Sequence, residues 1–124
     1  MFVCLLCHRP ARPATDLCPH CFNDLPWISH ACRTCGEPLS TAQDSLCHRC
    51  QLDLPAVDHC HAPLAYRFPL DQLILTMKQQ PRPELISSFC RWLAPPLARQ
   101  GKPDLLLPVP MHPARQRERG FNQA

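Results

Sequence analysis

The chain has 124 residues, of which 16 are Pro, 10 are Cys and only 3 are Gly, and its formal net charge is +3 at pH 7. This length leaves room for one small domain and a metal-stabilised module, and no apolar stretch is long enough to cross a membrane. The amino terminus has no basic start, long apolar run or small-residue cleavage site. We therefore expect a cytoplasmic protein rather than an exported one.

Eight cysteines in the first fifty residues form four Cys-x-x-Cys pairs: Cys4 and Cys7, Cys18 and Cys21, Cys32 and Cys35, Cys47 and Cys50. The first two pairs recur as the last two, after 28 and 29 residues respectively. Pro10 recurs as Pro38, and the Asp-Leu-Pro string at 24–26 recurs at 53–55. The pattern indicates that one unit was duplicated.

Two such pairs supply the four thiolates of a closed tetrahedral zinc site, which leaves no open position for catalysis. We predict two structural zinc ions, held by Cys4, Cys7, Cys18 and Cys21 and by Cys32, Cys35, Cys47 and Cys50. Gly36 follows a ligand, where a glycine lets the backbone turn back towards the sulfur. Crossed pairing between the repeats stays open because spacing does not determine topology. Iron stays open as well, since it also accepts four thiolates.

Other uses of the cysteines fit less well. Disulfides need an oxidising compartment. Residues 4–8 match the c-type haem motif, but haem attachment is also an exported chemistry and would explain only one pair of four. With four sulfurs available per site, we interpret His8, His20 and His48 as polar loop residues rather than ligands.

Two cysteines, Cys60 and Cys90, belong to no pair, and we expect both to be small buried apolar residues. For Cys60, the alternative is a third metal site formed with His59 and His61. Adjacent residues of a strand point to opposite faces, so these three side chains would not all reach one ion.

The charge differs between the two parts of the chain. Residues 1–56 contain 4 Lys/Arg against 5 Asp/Glu, whereas residues 57–124 contain 9 against 5. Each zinc-loaded four-thiolate site adds about −2 to the side-chain total of −1, so the loaded first part carries about −5. Phosphates repel that charge. We therefore expect a structural or protein-contacting module and only weak direct binding of nucleic acid.

Composition and periodicity change after Pro55, which places a predicted domain boundary near residue 56 and divides the chain into 1–56 and 57–124. Residues 57–66 are a strand candidate. Pro69 then opens a helical stripe made of Leu70, Leu73, Ile74 and Met77. Pro81 and Pro83 end that helix.

A second helical stripe contains Leu85, Ile86, Phe89, Trp92 and Leu93. We expect Pro95-Pro96 to end or kink this helix and Gly101 to mark its exit. The continuous apolar run at 105–109 is typical of a strand buried on both faces of a parallel sheet, which predicts the start of an α/β domain.

Arg115, Arg117 and Arg119 follow on a helix that should begin at Pro113. They form either a solvated charged face or a phosphate or pyrophosphate site. The second interpretation rests on the anion-binding loops at the carboxyl ends of parallel strands.

Taken together, Pro108-Val109-Pro110, the spaced arginines, the string Arg-Gly-Phe-Asn-Gln-Ala at 119–124 and the duplicated cysteine pairs resemble the ComF/GntX family of competence and DNA-utilisation proteins. The resemblance implies a double zinc ribbon fused to a type I phosphoribosyltransferase-like α/β domain. It also implies a role in natural transformation or in the use of external DNA. The candidate phosphate-site residues carried over are Lys78, Arg115, Arg119, Asn122 and Gln123.

The chain lacks the two acidic residues and the Thr-Thr-Gly turn with which the family grips phosphoribosyl pyrophosphate, so we expect a truncated chain whose carboxyl half is missing. Three functions compete. The favoured one is a ComF-like protein of DNA uptake, whose ribbons are a scaffold for other competence proteins. The second is a phosphoribosyltransferase that is active only with the missing half, and the third is a nucleic-acid-binding zinc ribbon. The sequence does not determine the oligomeric state.

Overall fold

The computed structural model describes residues 2–80 and 82–124. Its helices are α1 (Pro19–Asn23), α2 (His48–Leu52), α3 (Leu70–Gln79), α4 (Pro83–Ala98) and α5 (Pro113–Arg119). Within the described ranges, β structure is limited to three isolated antiparallel bridges, which join Val3 to Pro10, Trp27 to Leu64 and Ala31 to Pro38. No helix in this part of the chain is both long and apolar enough to cross a membrane.

The duplication is visible in the backbone of the first half. The short helices α1 and α2 each follow the first cysteine of a closing pair, and these two cysteines have nearly the same dihedral angles. Cys18 has φ −70° and ψ 159°, and Cys47 has φ −73° and ψ 161°. The bridges at Val3 and Ala31 also occupy equivalent positions of the two repeats. Residues 2–55 therefore form two ribbons built on the same plan.

The helices α3 and α4 form a contacting pair. The helix predicted after Pro69 is confirmed, because α3 begins at Leu70 and buries Leu70 and Leu73. α4 begins at Pro83, a favourable first helical position because its missing N–H needs no partner there. The other residue predicted to end α3, Pro81, lies outside the described residues.

Two expectations about α4 need correction. Of the two effects expected at Pro95-Pro96, an end or a kink, the end is not found there, because the helix continues to Ala98. Proline has a helical φ, so both prolines fit the last turn, although each lacks the N–H that would donate to the carbonyl four residues earlier. Cys90 is exposed rather than buried, because the helix turns it away from the face that contains Trp92. The other unpaired cysteine, Cys60, is half-buried.

The hydrophobic core joins the first ribbon to the helical pair. Its buried residues are Cys4, Leu17, Cys18 and Leu25 of the ribbon together with Leu73, Leu85 and Trp92 of α3 and α4. The second ribbon buries Cys32, Thr34 and Cys50 outside this cluster. The first ribbon and α4 are thus parts of one core, whereas the buried residues of the second ribbon lie outside it.

The predicted strands and the α/β sheet are not found in the described residues. Between residues 57 and 66, only Leu64 forms a bridge. The run predicted to be a buried strand has side chains that are 69%, 80%, 81% and 74% exposed, at Leu105, Leu106, Leu107 and Val109. A strand buried on both faces needs neighbouring strands and covering helices. Within residues 2–80 and 82–124 no strand pairs with this run, so its apolar side chains remain in solvent.

Candidate metal centres and anion cavity

The first cysteine cluster is assembled by a tight turn and by the start of α1. The turn contains Cys4 and Cys7 and is closed by two backbone bonds, from the N–H of Cys4 to the Arg9 oxygen at 2.8 Å and from the N–H of His8 to the Cys4 oxygen at 3.0 Å. Cys18 caps α1, and its sulfur accepts the N–H of Cys21 at 3.4 Å. The four sulfurs of Cys4, Cys7, Cys18 and Cys21 lie within 4.8 Å of one another.

The second cluster repeats this construction with Cys32, Cys35, Cys47 and Cys50, whose sulfurs also lie within 4.8 Å of one another. The N–H of Cys32 donates to the Glu37 oxygen at 2.8 Å, and the N–H of Gly36 donates to the Cys32 oxygen at 2.8 Å. The clusters thus pair neighbouring cysteines of one repeat, as the tandem arrangement predicts, and not cysteines of different repeats.

The sulfur spacing fits zinc. In the two clusters, Cys7 with Cys18 and Cys35 with Cys47 have Sγ–Sγ distances of 3.6 Å. Four sulfurs at about 2.3 Å from a tetrahedral zinc ion would be about 3.8 Å apart. A disulfide requires about 2.05 Å, and all ten cysteines are free thiols.

The residue after the second ligand turns the backbone in both repeats. Gly36 has φ +76°, and the equivalent residue of the first ribbon, His8, has φ +59°. The predicted role of Gly36 is therefore confirmed. A Cβ at this position would lie only 2.9 Å from the Ala62 Cβ and from the Cys60 sulfur. The second ribbon thus needs a glycine for space as well as for its dihedral angle.

Before a metal binds, the thiols of the first cluster have unequal proton affinities. The backbone N–H of Arg9, helped by its guanidinium group, lowers the pKa of Cys7 to about 6. Burial and the neighbouring thiols raise the pKa of Cys21. Burial also opposes ionisation of Cys4, but backbone N–H groups, that of Cys18 foremost, outweigh it and lower its pKa.

The second cluster shows the same division. Burial opposes ionisation of Cys32, yet the N–H groups of Cys47, Cys35 and Thr34 lower its pKa to about 6. Burial, followed by the neighbouring thiols, raises the pKa of Cys50 to about 12. Thiolates this close repel one another, so full ionisation requires a cation among them.

The structure does not place His59, Cys60 and His61 around a common metal position. The rings of His59 and His61 are nearly parallel, with their centroids 6.2 Å apart. The Cys60 sulfur instead lies against Gly36. The only groups of three or more potential metal ligands in the described ranges are the two four-cysteine clusters.

A separate group of predicted site residues meets between α3 and α5. A cavity of about 430 Å³, called here the α3–α5 cavity, is lined by Met77, Lys78, Gln79, Gln80, Arg115, Glu118, Arg119 and Phe121. Lys78 is separated by more than thirty residues of sequence from Arg115 and Arg119, yet all three line this cavity. The ion pairs within the described ranges are Arg82 with Glu84 and Arg91 with Asp16, so neither involves these cations.

The remaining candidates lie beside a smaller cavity of about 220 Å³, which Arg115 and Arg119 also line. Asn122 donates its side-chain N–H to the Val109 oxygen at 3.0 Å, and Gln123 accepts a bond from Arg119 at 3.3 Å. In this arrangement Asn122 and Gln123 hold the terminal segment and Arg119 in place.

The first turn of α5 does not support the predicted helix-terminus anion site. α5 has only seven residues. The His112 side chain already accepts the N–H of Ala114 at 3.2 Å, so this amide is not free for an anion. Any anion site in this region therefore depends on the arginine side chains.

Sequence reasoning missed several residues of both sites. Arg9 beside Cys7 and Arg49 beside Cys35 contact thiols, and a basic residue close to a cysteine pair could have indicated them. Glu118 and Phe121 line the α3–α5 cavity but were not among the predicted site residues, although Phe121 lies in the string at 119–124, because the cavity forms only when α3 and α5 come together.

Comparison with known proteins agrees with the geometry of the cysteine clusters. Residues 2–62 match the family model described as a double zinc ribbon domain. No curated protein and no solved structure matches the chain. The two Cys4 clusters fit two zinc ions, and residues 2–62 carry the sequence and the ligand geometry of a double zinc ribbon.

Proposed function

We propose that the chain is a zinc-stabilised scaffold that binds a phosphorylated ligand in the α3–α5 cavity. The observation that carries the proposal is that Lys78, Arg115 and Arg119 line one cavity without a carboxylate partner at ion-pair distance in the described ranges. Three cations against one carboxylate, that of Glu118, leave the lining of this cavity net positive, which attracts a multiply charged anion, and arginine forks match phosphate oxygens. Met77 and Phe121 add an apolar wall for a non-ionic part of the ligand.

The zinc sites have a structural role in this proposal. Each cluster supplies four sulfurs, which close a tetrahedral site and leave no position for a substrate. The resemblance to the ComF/GntX family supports a place for this scaffold in DNA uptake or utilisation. The negative charge of the loaded ribbons favours a protein partner over nucleic acid.

Titration calorimetry with inorganic pyrophosphate tests the ligand proposal on the zinc-loaded chain. We expect Lys78→Gln and Arg115→Gln each to weaken binding by about 1 to 2 kcal/mol, or about five- to thirtyfold, because each removes one charged contact. Arg117→Gln is the matched control, since Arg117 lies on the same helix but lines neither cavity. Equal weakening in the control, or no binding by the unaltered chain, would refute the proposal.

Phosphoribosyl transfer is the alternative that the resemblance implies. It requires a cradle for ribose and 5-phosphate in addition to a pyrophosphate site. Phosphoribosyl pyrophosphate and pyrophosphate should then differ in affinity. An affinity for phosphoribosyl pyrophosphate at least about tenfold higher would favour the transferase, whereas equal affinities would favour a simple anion site.

Direct nucleic-acid binding is tested by fluorescence anisotropy with a labelled single-stranded oligonucleotide at two salt concentrations. We expect weak binding with a shallow dependence on salt, because few cations can contact the phosphates of the strand. Tight binding with a steep salt dependence would instead support a nucleic-acid-binding ribbon and overturn the assignment to protein contacts.

A further inference from the structure

The two zinc sites differ in what surrounds them. Cys4 and Cys18 of the first site belong to the buried cluster that also contains Leu73, Leu85 and Trp92. The half-buried Cys7 and Cys21 pack against the same cluster. None of the ligands of the second site belongs to it. The first site is therefore part of the packing of α3 and α4, and the second is not.

Polar contacts reinforce this link. The loop between the two cysteine pairs of the first site carries Thr15 and Asp16. The Trp92 indole donates to the Thr15 oxygen at 2.7 Å, and the Ser88 hydroxyl donates to the Asp16 carboxylate at 2.6 Å. Arg91 forms an ion pair with the same carboxylate. One face of α4, formed by Ser88, Arg91 and Trp92, thus holds the loop between Cys7 and Cys18. Both of these cysteines are ligands of the first zinc site.

The same packing reaches the α3–α5 cavity through one residue. Met77 packs against the buried cluster, and it also lines the cavity next to Lys78. A change in the position of α3 therefore displaces Lys78 from Arg115 and Arg119. The contacts form a continuous path from the first zinc site through α4 and α3 to the cavity wall.

We propose that zinc at the first site, and not at the second, controls the affinity of the α3–α5 cavity for its anion. The inference rests on the proposed function, because it concerns the regulation of the same cavity. Loss of the first zinc frees the two ends of the loop that carries Thr15 and Asp16. The loop then holds α4 less firmly, α4 loosens against α3, and Lys78 moves away from Arg115 and Arg119. By thermodynamic linkage, the bound anion raises the zinc affinity of the first site by the same factor by which bound zinc raises the anion affinity of the cavity.

The test compares Cys7→Ser with Cys35→Ser. These variants are matched because each removes the second cysteine of the first pair in its repeat, and both residues are half-buried. Hydrogen exchange read by mass spectrometry reports the protection of α3 and α4, and calorimetry reports pyrophosphate affinity. We expect Cys7→Ser to lose this protection and to weaken pyrophosphate binding at least about fivefold. We expect Cys35→Ser to keep both properties.

Two milder variants distinguish the proposed control by zinc from simple unfolding of Cys7→Ser. Trp92→Phe and Asp16→Asn interrupt the path while leaving all eight ligands in place. We expect them to retain two zinc ions and still to weaken pyrophosphate binding, whereas Tyr66→Phe, at an exposed ring, leaves it unchanged.

The outcomes separate this inference from the function on which it rests. Equal effects of Cys7→Ser and Cys35→Ser, or no effect of either on α3 and α4, would overturn the control by the first site. Failure of the unaltered chain to bind pyrophosphate would refute the proposed function, and with it the control of affinity. Selective loss of protection in Cys7→Ser would then establish only a structural dependence of α3 and α4 on the first zinc.

Discussion

Trp92 donates its indole N–H to the carbonyl oxygen of Thr15 at 2.7 Å, across 77 positions of the chain. Trp92 is almost completely buried, and its ring packs edge to face against Phe89 at a centroid distance of 5.1 Å. One residue of α4 therefore contributes both apolar burial and a hydrogen bond to the loop of the first zinc ribbon. This contact explains why the ribbon and the helical pair share one core.

Replacement of Trp92 by Phe should lower the free energy of unfolding by about 1 to 3 kcal/mol, because the Thr15 oxygen loses its buried donor. Trp92→Ala should cost about 3 to 5 kcal/mol through the cavity that it creates. Urea unfolding of the zinc-loaded protein measures both values. Tyr66→Phe is the control, and a similar loss there would show that the Thr15 contact has no special weight.

Removal of the Asp16 charge should weaken the contact between the first ribbon and α4. Asp16 has φ +55°, a conformation that Asn tolerates well, so Asp16→Asn removes the charge with little backbone strain. We expect a loss of about 1 kcal/mol, since the ion pair with Arg91 is partly exposed. A double-mutant cycle with Arg91→Gln measures the coupling. A coupling energy of zero would mean that the pair does not stabilise the docked ribbon.

Gly36→Ala should destabilise the second ribbon more than Gly101→Ala destabilises the loop after α4. Both glycines have positive φ, but a Cβ at Gly101 meets no atom within 4 Å. The cost at Gly101 is therefore backbone strain of about 1 to 2 kcal/mol. Gly36 adds about 1 to 3 kcal/mol of overpacking against Ala62 and Cys60. Urea unfolding of the zinc-loaded protein measures both costs, and equal losses of unfolding free energy would contradict the difference.

Elemental analysis should find two zinc ions per chain and eight masked thiols. Cys35→Ser should remove one ion and leave the other in place, because the structure assigns each cysteine to a cluster of its own repeat. Loss of both ions together would indicate that the sites do not form independently. An excess of iron over zinc would identify the other metal that four thiolates can hold.

Zinc binding should release protons, so its apparent affinity should rise with pH. Burial and neighbouring thiols raise the pKa values of Cys21 and Cys50, the latter to about 12, so both hold protons at pH 7. Cys7 and Cys32, with pKa values of about 6, are already mainly thiolates there. Between pH 7 and 8, each site should release at least one proton per zinc ion, and affinity should rise at least about tenfold per pH unit.

Calorimetry in two buffers of different ionisation enthalpy counts the released protons. Fewer than one proton per ion would mean that all four thiols of a site are ionised before zinc arrives. That result would contradict the raised pKa values of Cys21 and Cys50.

The zinc ribbons were predictable because their information is local. Two ligands three residues apart define a turn, and the duplicated spacing favours tandem sites, although only the structure groups the cysteines within each repeat. The helices α3 and α4 were likewise predictable, because their apolar residues recur at helical intervals. The predicted boundary near residue 56 remains a prediction. The family match extends to residue 62, and Leu64 forms a bridge with Trp27 of the first ribbon.

The strand predicted at 105–109 shows where local information fails. An apolar run of this length indicates burial, but burial also requires partners that the run itself does not specify. In the structure its side chains are exposed. The same lack of local information explains why the contacts of Asp16 with Ser88 and Arg91 were not anticipated, since charged and hydroxyl side chains find partners only after the chain has folded.

By itself, the sequence determined the eight candidate ligands and the approximate positions of the main helices, because each depends on residues close together in the chain. The structure then grouped the ligands within each repeat. Only the tertiary structure decided that the first ribbon shares a buried core with α4, whereas the buried residues of the second ribbon lie outside that core. It also decided that Lys78 and Arg115 line one cavity. Such contacts arise from the packing of distant segments around a shared core, and no periodicity or spacing encodes that packing.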